Sequence, residues 1–261
     1  MKYIMVGKSR SGLANDRRAY GCSKYCNTIP RCPSLTNISL ADIATFDVVG
    51  NEGWLLNENT TLLVCEVLEI PDGQTLLLNG FTLTNNGTIN VRGVLRNVGR
   101  AGITSSSITI NNGTINVFST GSIPVSIAAF GAVARFTNNG IINNDGNIFC
   151  QTLGVINNTS GGRINNNSSD AGGTGGFRLN SRGTFNNSGV FINNGTITLT
   201  QDLAGEGIIY NNNGGTITNN GTINNAGTIN NANGLSTCGV GTITGSAIIN
   251  GPNGTTGTAC P

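Results

Sequence analysis

Few side chains in this sequence could do chemistry, and their spacing suits it poorly. Its 261 residues include no histidine, which removes Ser-His-Asp and Cys-His nucleophile systems. Beyond Gly80 the only acids are Asp145, Asp170, Asp202 and Glu206. A glycosidase needs two carboxylates facing one another across a sugar. Asp202 and Glu206 are the one pair close enough in sequence to be weighed. One falls in an expected loop and no second acid cluster supports them, so both read as solvated loop acids. No Gly-x-x-x-x-Gly-Lys-Ser/Thr loop occurs, so the many glycines are not phosphate cradles. We expect no catalytic residue, no metal and no cofactor.

The cysteines and the sequons are the other reactive groups. Cys22, Cys26 and Cys32 lie close together, but structural zinc takes four ligands, and three thiols without a fourth or a histidine make a poor site. They are candidates for local or intermolecular disulfides, with free thiols as the alternative, and Cys260 could tie back to Cys238. With seven cysteines, any complete internal scheme leaves one over. Asn-x-Ser/Thr sequons abound, among them Asn37, Asn59, Asn86, Asn112, Asn158, Asn194 and Asn220. An Asn-Gly-Thr repeat creates them automatically, so they are weak evidence for glycosylation.

That repeat must position everything else. In N-N-N-G-G-T-I-T-N-N-G-T-I-N-N-A-G-T-I-N-N, residues 211–231, Ile217, Ile223 and Ile229 recur every six residues. A six-residue apolar period fits neither an amphipathic helix nor a long alternating strand. It fits a short strand carrying one inward residue, then a corner, then another short strand. Thr216-Ile217-Thr218 alternates out, in, out, and the Asn-Asn-Gly that follows suits a corner of left-handed backbone. Three such sides close one rung. Leu76, Leu83, Ile89 and Leu95 follow Gly73, Gly80, Gly87 and Gly93 in the same manner, and the pattern returns at Ile115, Ile142, Phe185, Ile197 and Ile243. Internal repetition of this density predicts an all-β fold, a parallel β-solenoid (β-helix) of about 19–22 residues per rung. Parallel crossovers favour the right-handed sense, which we expect here.

Composition agrees with that reading. About forty residues are Asn and 39 are Gly, with only 10% charged. Regularly placed Ile, Val and Thr argue against disorder, and no stretch approaches the roughly 20 apolar residues of a membrane span. One rung buries about three aliphatic side chains worth roughly 1.5–3 kcal/mol each. Ordering its backbone costs about 1–2 kcal/mol per residue, so stacking is obligatory, through inter-rung backbone hydrogen bonds, Ile-on-Ile contact and Asn side chains that can bond the Asn of the next rung.

The chain divides into four parts. Residues 1–34 form a basic arm in which Lys2, Lys8, Arg10, Arg17, Arg18, Lys24 and Arg31 oppose only Asp16, whereas the rest has no Lys and more acids than Arg. These seven are candidate docking residues for an acidic partner, a nucleic acid or a neighbouring subunit; a plain tail is the alternative. The start lacks the apolar core of a secretory signal. Residues 35–60 lead in, with a short helix over 40–46, Ser39 as its N-cap, and Trp54 with Leu55-Leu56 covering the end of the core. Residues 61–250 are the solenoid, interrupted by irregular stretches at 99–108, 118–136 and 167–176. Residues 251–261 are coil.

The stretch I-P-D-G-Q-T-L-L-L-N-G-F-T-L-T-N-N-G-T-I-N, followed by N-N-G-T-I-N-N-A-G-T-I-N-N, resembles the Asn/Gly-rich β-solenoid repeats of large DNA viruses of amoebae and algae. Similar runs occur in bacterial filamentous adhesins. The resemblance covers about residues 61–250 and implies a surface or capsid-associated structural protein of a virion or fibre. Its expected partners are copies of itself or capsid proteins, with glycans as a further possibility. The alternative is a carbohydrate-active or carbohydrate-binding β-helix similar to pectate lyases. The acid and base clusters of those enzymes are not evident here, and fold alone lends no activity.

Overall fold

A computed structural model describes residues 34–47, 53–98, 106–126, 134–169, 176–212, 214–231 and 242–244, and the backbone of 248–250. The described chain is a parallel β-solenoid with three sides. Side one is a nine-stranded sheet running from Thr60–Leu62 to Ile248–Asn250. Side two has eight strands, from Thr36–Ile38 to Thr216–Asn219. Side three has ten, from Ala44–Phe46 to Thr242–Thr244. Each strand pairs in register with its counterpart one rung on: Ile115 faces Ile89 and Ile142, and Ile197 faces Phe177 and Ile223.

The inward assignments hold. Leu76, Leu83, Ile89, Leu95, Ile115, Ile142, Phe185, Ile197, Ile217, Ile223 and Ile229 are all buried in one core. Phe177, Phe185 and Phe191 come in from the three sides with ring centroids 4.9–5.2 Å apart. Their edge-on and tilted contacts are the arrangement that aromatic quadrupoles favour.

The corner reading needs correction in two respects. First, a repeat strand turns two side chains inward. The Asn that ends the strand is as buried as the Ile before it, with Asn85, Asn111, Asn138, Asn187, Asn193 and Asn219 all at 0% exposure. Burying an amide costs several kcal/mol unless its hydrogen bonds are made, and the stack makes them. Nδ2 of Asn85 donates to Oδ1 of Asn111 at 2.7 Å and to the carbonyl of Thr114 at 3.0 Å. The same relation links Asn111 to Asn138, Asn158, Asn187, Asn211 and Asn231 in turn, at 2.7–2.9 Å. A second buried ladder on side two runs through Asn144, Asn166, Asn193 and Asn219. It begins where Val117 gives way to Asn144 in register, and the Oδ1 of Asn144 is accordingly left without a donor.

Second, the corner glycines are needed for space and not for left-handed backbone. Gly87, Gly113, Gly140, Gly195 and Gly221 all lie outside the positive-φ region. A Cβ on Gly113 would sit 2.1 Å from the carbonyl oxygen of Gly87, and one on Gly140 would sit 2.1 Å from that of Gly113. Corner backbones stack directly on one another, and only glycine allows it. In Asn-Asn-Gly, then, the first Asn joins the buried ladder and the Gly permits close stacking. The second Asn joins an outward ladder, as Asn86, Asn112 and Asn139 do at 2.8–2.9 Å. Among the described non-glycine residues, positive φ occurs where side three returns to side one, at Asn79, Thr152-Leu153 and Ser181-Arg182.

Rung length follows the corners. Ladder partners are 20 positions apart between Asn138 and Asn158 and between Asn211 and Asn231, and 22 between Asn144 and Asn166. Insertions raise this to 26, 27 and 29 elsewhere. The expected 19–22 therefore describes the bare rungs. At the irregular stretches the flanks are regular strands, Ser107–Asn111, Ser122–Ser126 and Ala134–Asn138, paired like the rest.

At the N-terminal end the helix is shorter than expected, Leu40–Ile43. Asp42 accepts from both the backbone N–H and the hydroxyl of Ser39, at 2.8 and 2.7 Å, which closes its first turn. Ala44–Phe46 is a strand, antiparallel to Trp54–Leu56. An antiparallel edge prevents another parallel rung from adding there in register. Leu40 and Ile43 are buried in the core, and Trp54 packs on it while donating to Gln74 at 2.9 Å.

Candidate functional site

The two acids singled out for chemistry sit on a small hairpin, Gln201–Asp202 against Gly205–Glu206. Oδ1 of Asp202 accepts from the backbone N–H groups of Ala204 and Gly205 at 2.9 and 3.1 Å, which closes the turn. Its other oxygen accepts from the Ser181 hydroxyl. That hydroxyl, aided by the two amides, holds the Asp202 carboxyl below its ordinary pKa. Glu206 accepts from the Thr228 hydroxyl on the next rung at 2.9 Å. Both carboxylates are thus engaged in local structure. Leu203, at the hairpin tip, is fully exposed.

The candidate docking residues Lys2, Lys8, Arg10, Arg17, Arg18, Lys24 and Arg31 lie outside the described residues, as do Cys22, Cys26, Cys32, Cys238 and Cys260. The disulfide reading did not include Cys65, yet Cys65 is disulfide-bonded; nothing in its spacing distinguishes it from the other cysteines. Cys150 is free and lies inside the core. Burial pushes its thiol up to about 12, which outweighs the Thr184 carbonyl that accepts from it at 3.7 Å. A thiol so rarely ionised is a poor nucleophile and a poor metal ligand. Among the described residues no group of three or more Cys, Asp or Glu could hold a metal ion.

The outward faces carry the surface chemistry. On side two an amide column passes from Glu69 through Asn90, Asn116 and Asn143 to Asn165. At the following corner Asp145, Asn167, Asn194 and Asn220 are linked likewise at 2.9–3.1 Å. Of the sequons, Asn37, Asn59, Asn112, Asn194 and Asn220 are exposed, and Asn86 is half-buried. Asn158 is 1% exposed within the buried ladder and is closed to modification in the fold. Two concavities stand out. One, of about 640 Å³, lies beside the N-terminal end against Asn37, Leu40, Asp42, Trp54 and Pro71. The other, of about 510 Å³, lies at the corner between sides one and two. No described helix is long and apolar enough to cross a membrane.

No family model matches the chain, and no curated protein matches it. Among solved structures, a TibC-catalyzed hyper-glycosylated TibA55-350 fragment aligns at 16% identity with a TM-score of 0.20. The alignment covers 85% of this chain and 92% of that one. Similarity at this level carries no functional argument.

Proposed function

We propose that the chain is a non-enzymatic structural protein. In this reading the solenoid is a stiff polar rod on the surface of a virion or fibre, and the basic arm, residues 1–34, docks it or joins it to further copies. One observation carries the reading: the residue types that dominate the composition are spent on stacking. Ile fills the core, the two Asn of an Asn-Asn-Gly corner join the inner and outer ladders, and Gly lets the corners touch. Against the carbohydrate-active alternative stands the engagement of Asp202 and Glu206 in turn and inter-rung hydrogen bonds.

Deleting residues 1–34 tests the division of labour. Sedimentation of both forms is compared at low and high salt, with and without reductant. Salt matters because contacts made by exposed basic residues are screened. A truncated body that keeps its β circular dichroism but no longer assembles or docks supports the reading. Unchanged assembly places the interface in the solenoid. Turnover of a polysaccharide that Asp202→Ala or Glu206→Ala abolishes would overturn the non-enzymatic part.

A further inference from the structure

The corner between sides one and two is uneven along the rod. Most corners there hold two residues, as between Asn111 and Thr114 or Asn138 and Ile141. Two are longer. Between Asn158 and Arg163 the chain makes a turn closed by Gly162 N–H donating to the Thr159 carbonyl at 2.8 Å. Between Asn211 and Thr216 the Gly215 N–H donates to the Asn212 carbonyl at 2.9 Å. The rung between them keeps the short corner, Ser188-Gly189. Its Ser188 N–H reaches the Asn158 carbonyl and its Val190 N–H reaches the Gly162 carbonyl, so it spans the base of the first bulge without following it outward.

A recessed rung between two bulging ones makes a cleft, and this is the concavity of about 510 Å³. That volume falls within the about 300–1,000 Å³ of small-molecule sites. Asn186 and Ser188 belong to the recessed rung, with Asn157, Thr159 and Ser160 on one side and Asn212 on the other. None of its described lining residues is charged. Asn186 donates to Asn157 Oδ1 at 2.9 Å, which leaves Asn186 Oδ1 as an acceptor and Asn157 Nδ2 as a donor within the cleft. The hydroxyls of Ser160 and Ser188 can each donate and accept. Tyr210 is not among the residues that line the cleft, but it stands in register with the lining residue Asn186, one rung on, and is exposed at 38%.

We propose that this cleft is a binding site for a neutral oligosaccharide. Paired donors and acceptors without charge match vicinal sugar hydroxyls, each of which both donates and accepts. The apolar face of a pyranose ring packs on an aromatic ring such as Tyr210, which offers a large contact area and a polar tip. An anionic ligand would find no cation among the lining residues. The site needs no catalytic group, so it equips a structural rod to hold a glycan-bearing surface.

The test is titration calorimetry and saturation-transfer NMR on the full chain with maltotriose, cellotriose, lactose and N,N′-diacetylchitobiose, and with trigalacturonate as the anionic comparison. At least one neutral sugar should bind with a dissociation constant on the order of 1 mM, and trigalacturonate should not bind. Tyr210→Ala should weaken that binding about tenfold. Ser188→Arg should abolish it by filling the recess, and Thr218→Ala on the neighbouring side should leave it unchanged. Thermal melts establish that each variant is folded; should Ser188→Arg fail to fold, Tyr210→Ala carries the test alone. No binding by any neutral sugar, or binding that survives both Ser188→Arg and Tyr210→Ala, overturns the proposal.

Discussion

Asn158→Asp changes one NH₂ group to oxygen and leaves size and shape alone, so it separates the hydrogen bonding of the buried ladder from its packing. Asn158 accepts from Asn138 at 2.8 Å and donates to Asn187 Oδ1 at 2.8 Å and to the Val190 carbonyl at 3.2 Å. A carboxylate keeps the first bond but turns an acceptor toward two acceptors, at a position 1% exposed. The carboxyl therefore stays protonated in the fold and donates to one of them. Orphaning the other costs about 1–3 kcal/mol. Holding the proton at pH 7, roughly three units above the ordinary Asp range, costs about 4 kcal/mol more at about 1.36 kcal/mol per unit. The sign follows from a folded-state pKa raised above the unfolded one: this second cost is absent below about pH 4 and grows as pH rises. Urea unfolding followed by circular dichroism, at intervals between pH 4 and pH 7, reads it as the difference from wild type. Asn194→Asp in the exposed ladder is the control and should cost little at any of these pH values. A penalty that is flat with pH, or no larger than that of Asn194→Asp, would refute the ladder's energetic role.

Three further outcomes are expected. Gly140→Ala should lower the melting temperature far more than Gly73→Ala. The first drives a Cβ to 2.1 Å from a carbonyl, whereas the second has open space and pays only about 1 kcal/mol for its left-handed backbone. Equal losses would show that corner stacking is looser than this. Thr152→Asn should raise thermal stability by about 1 kcal/mol, since a β-branched residue holds φ +50° at an exposed corner that Asn tolerates better; an unchanged melt would contradict the strain. Asp202→Asn should flatten whatever stability the hairpin loses in acid. The lowered Asp202 carboxyl contributes above its unfolded pKa and loses that contribution as pH falls. Amide exchange at Ala204 and Gly205 is the measure, and an acid response identical to wild type would count against it.

The six-residue period of Ile217, Ile223 and Ile229 was enough to determine the fold class and the inward face. Burying an aliphatic side chain at every sixth position leaves a short chain few alternatives to a stacked rung. The meaning of Asn-Asn-Gly was not legible in the same way. One Asn is buried, the next is exposed and the glycine clears a carbonyl, all because of what lies 20 to 29 residues away on the neighbouring rung. Repetition of Asn was enough to expect amide pairing from rung to rung; only the register of one rung on another decides which Asn is buried, and that space rather than a left-handed turn sets the glycine. The cleft at Ser188 belongs to the same class. Each corner length can be read from the sequence, but a recess exists only where a short corner is stacked between two long ones.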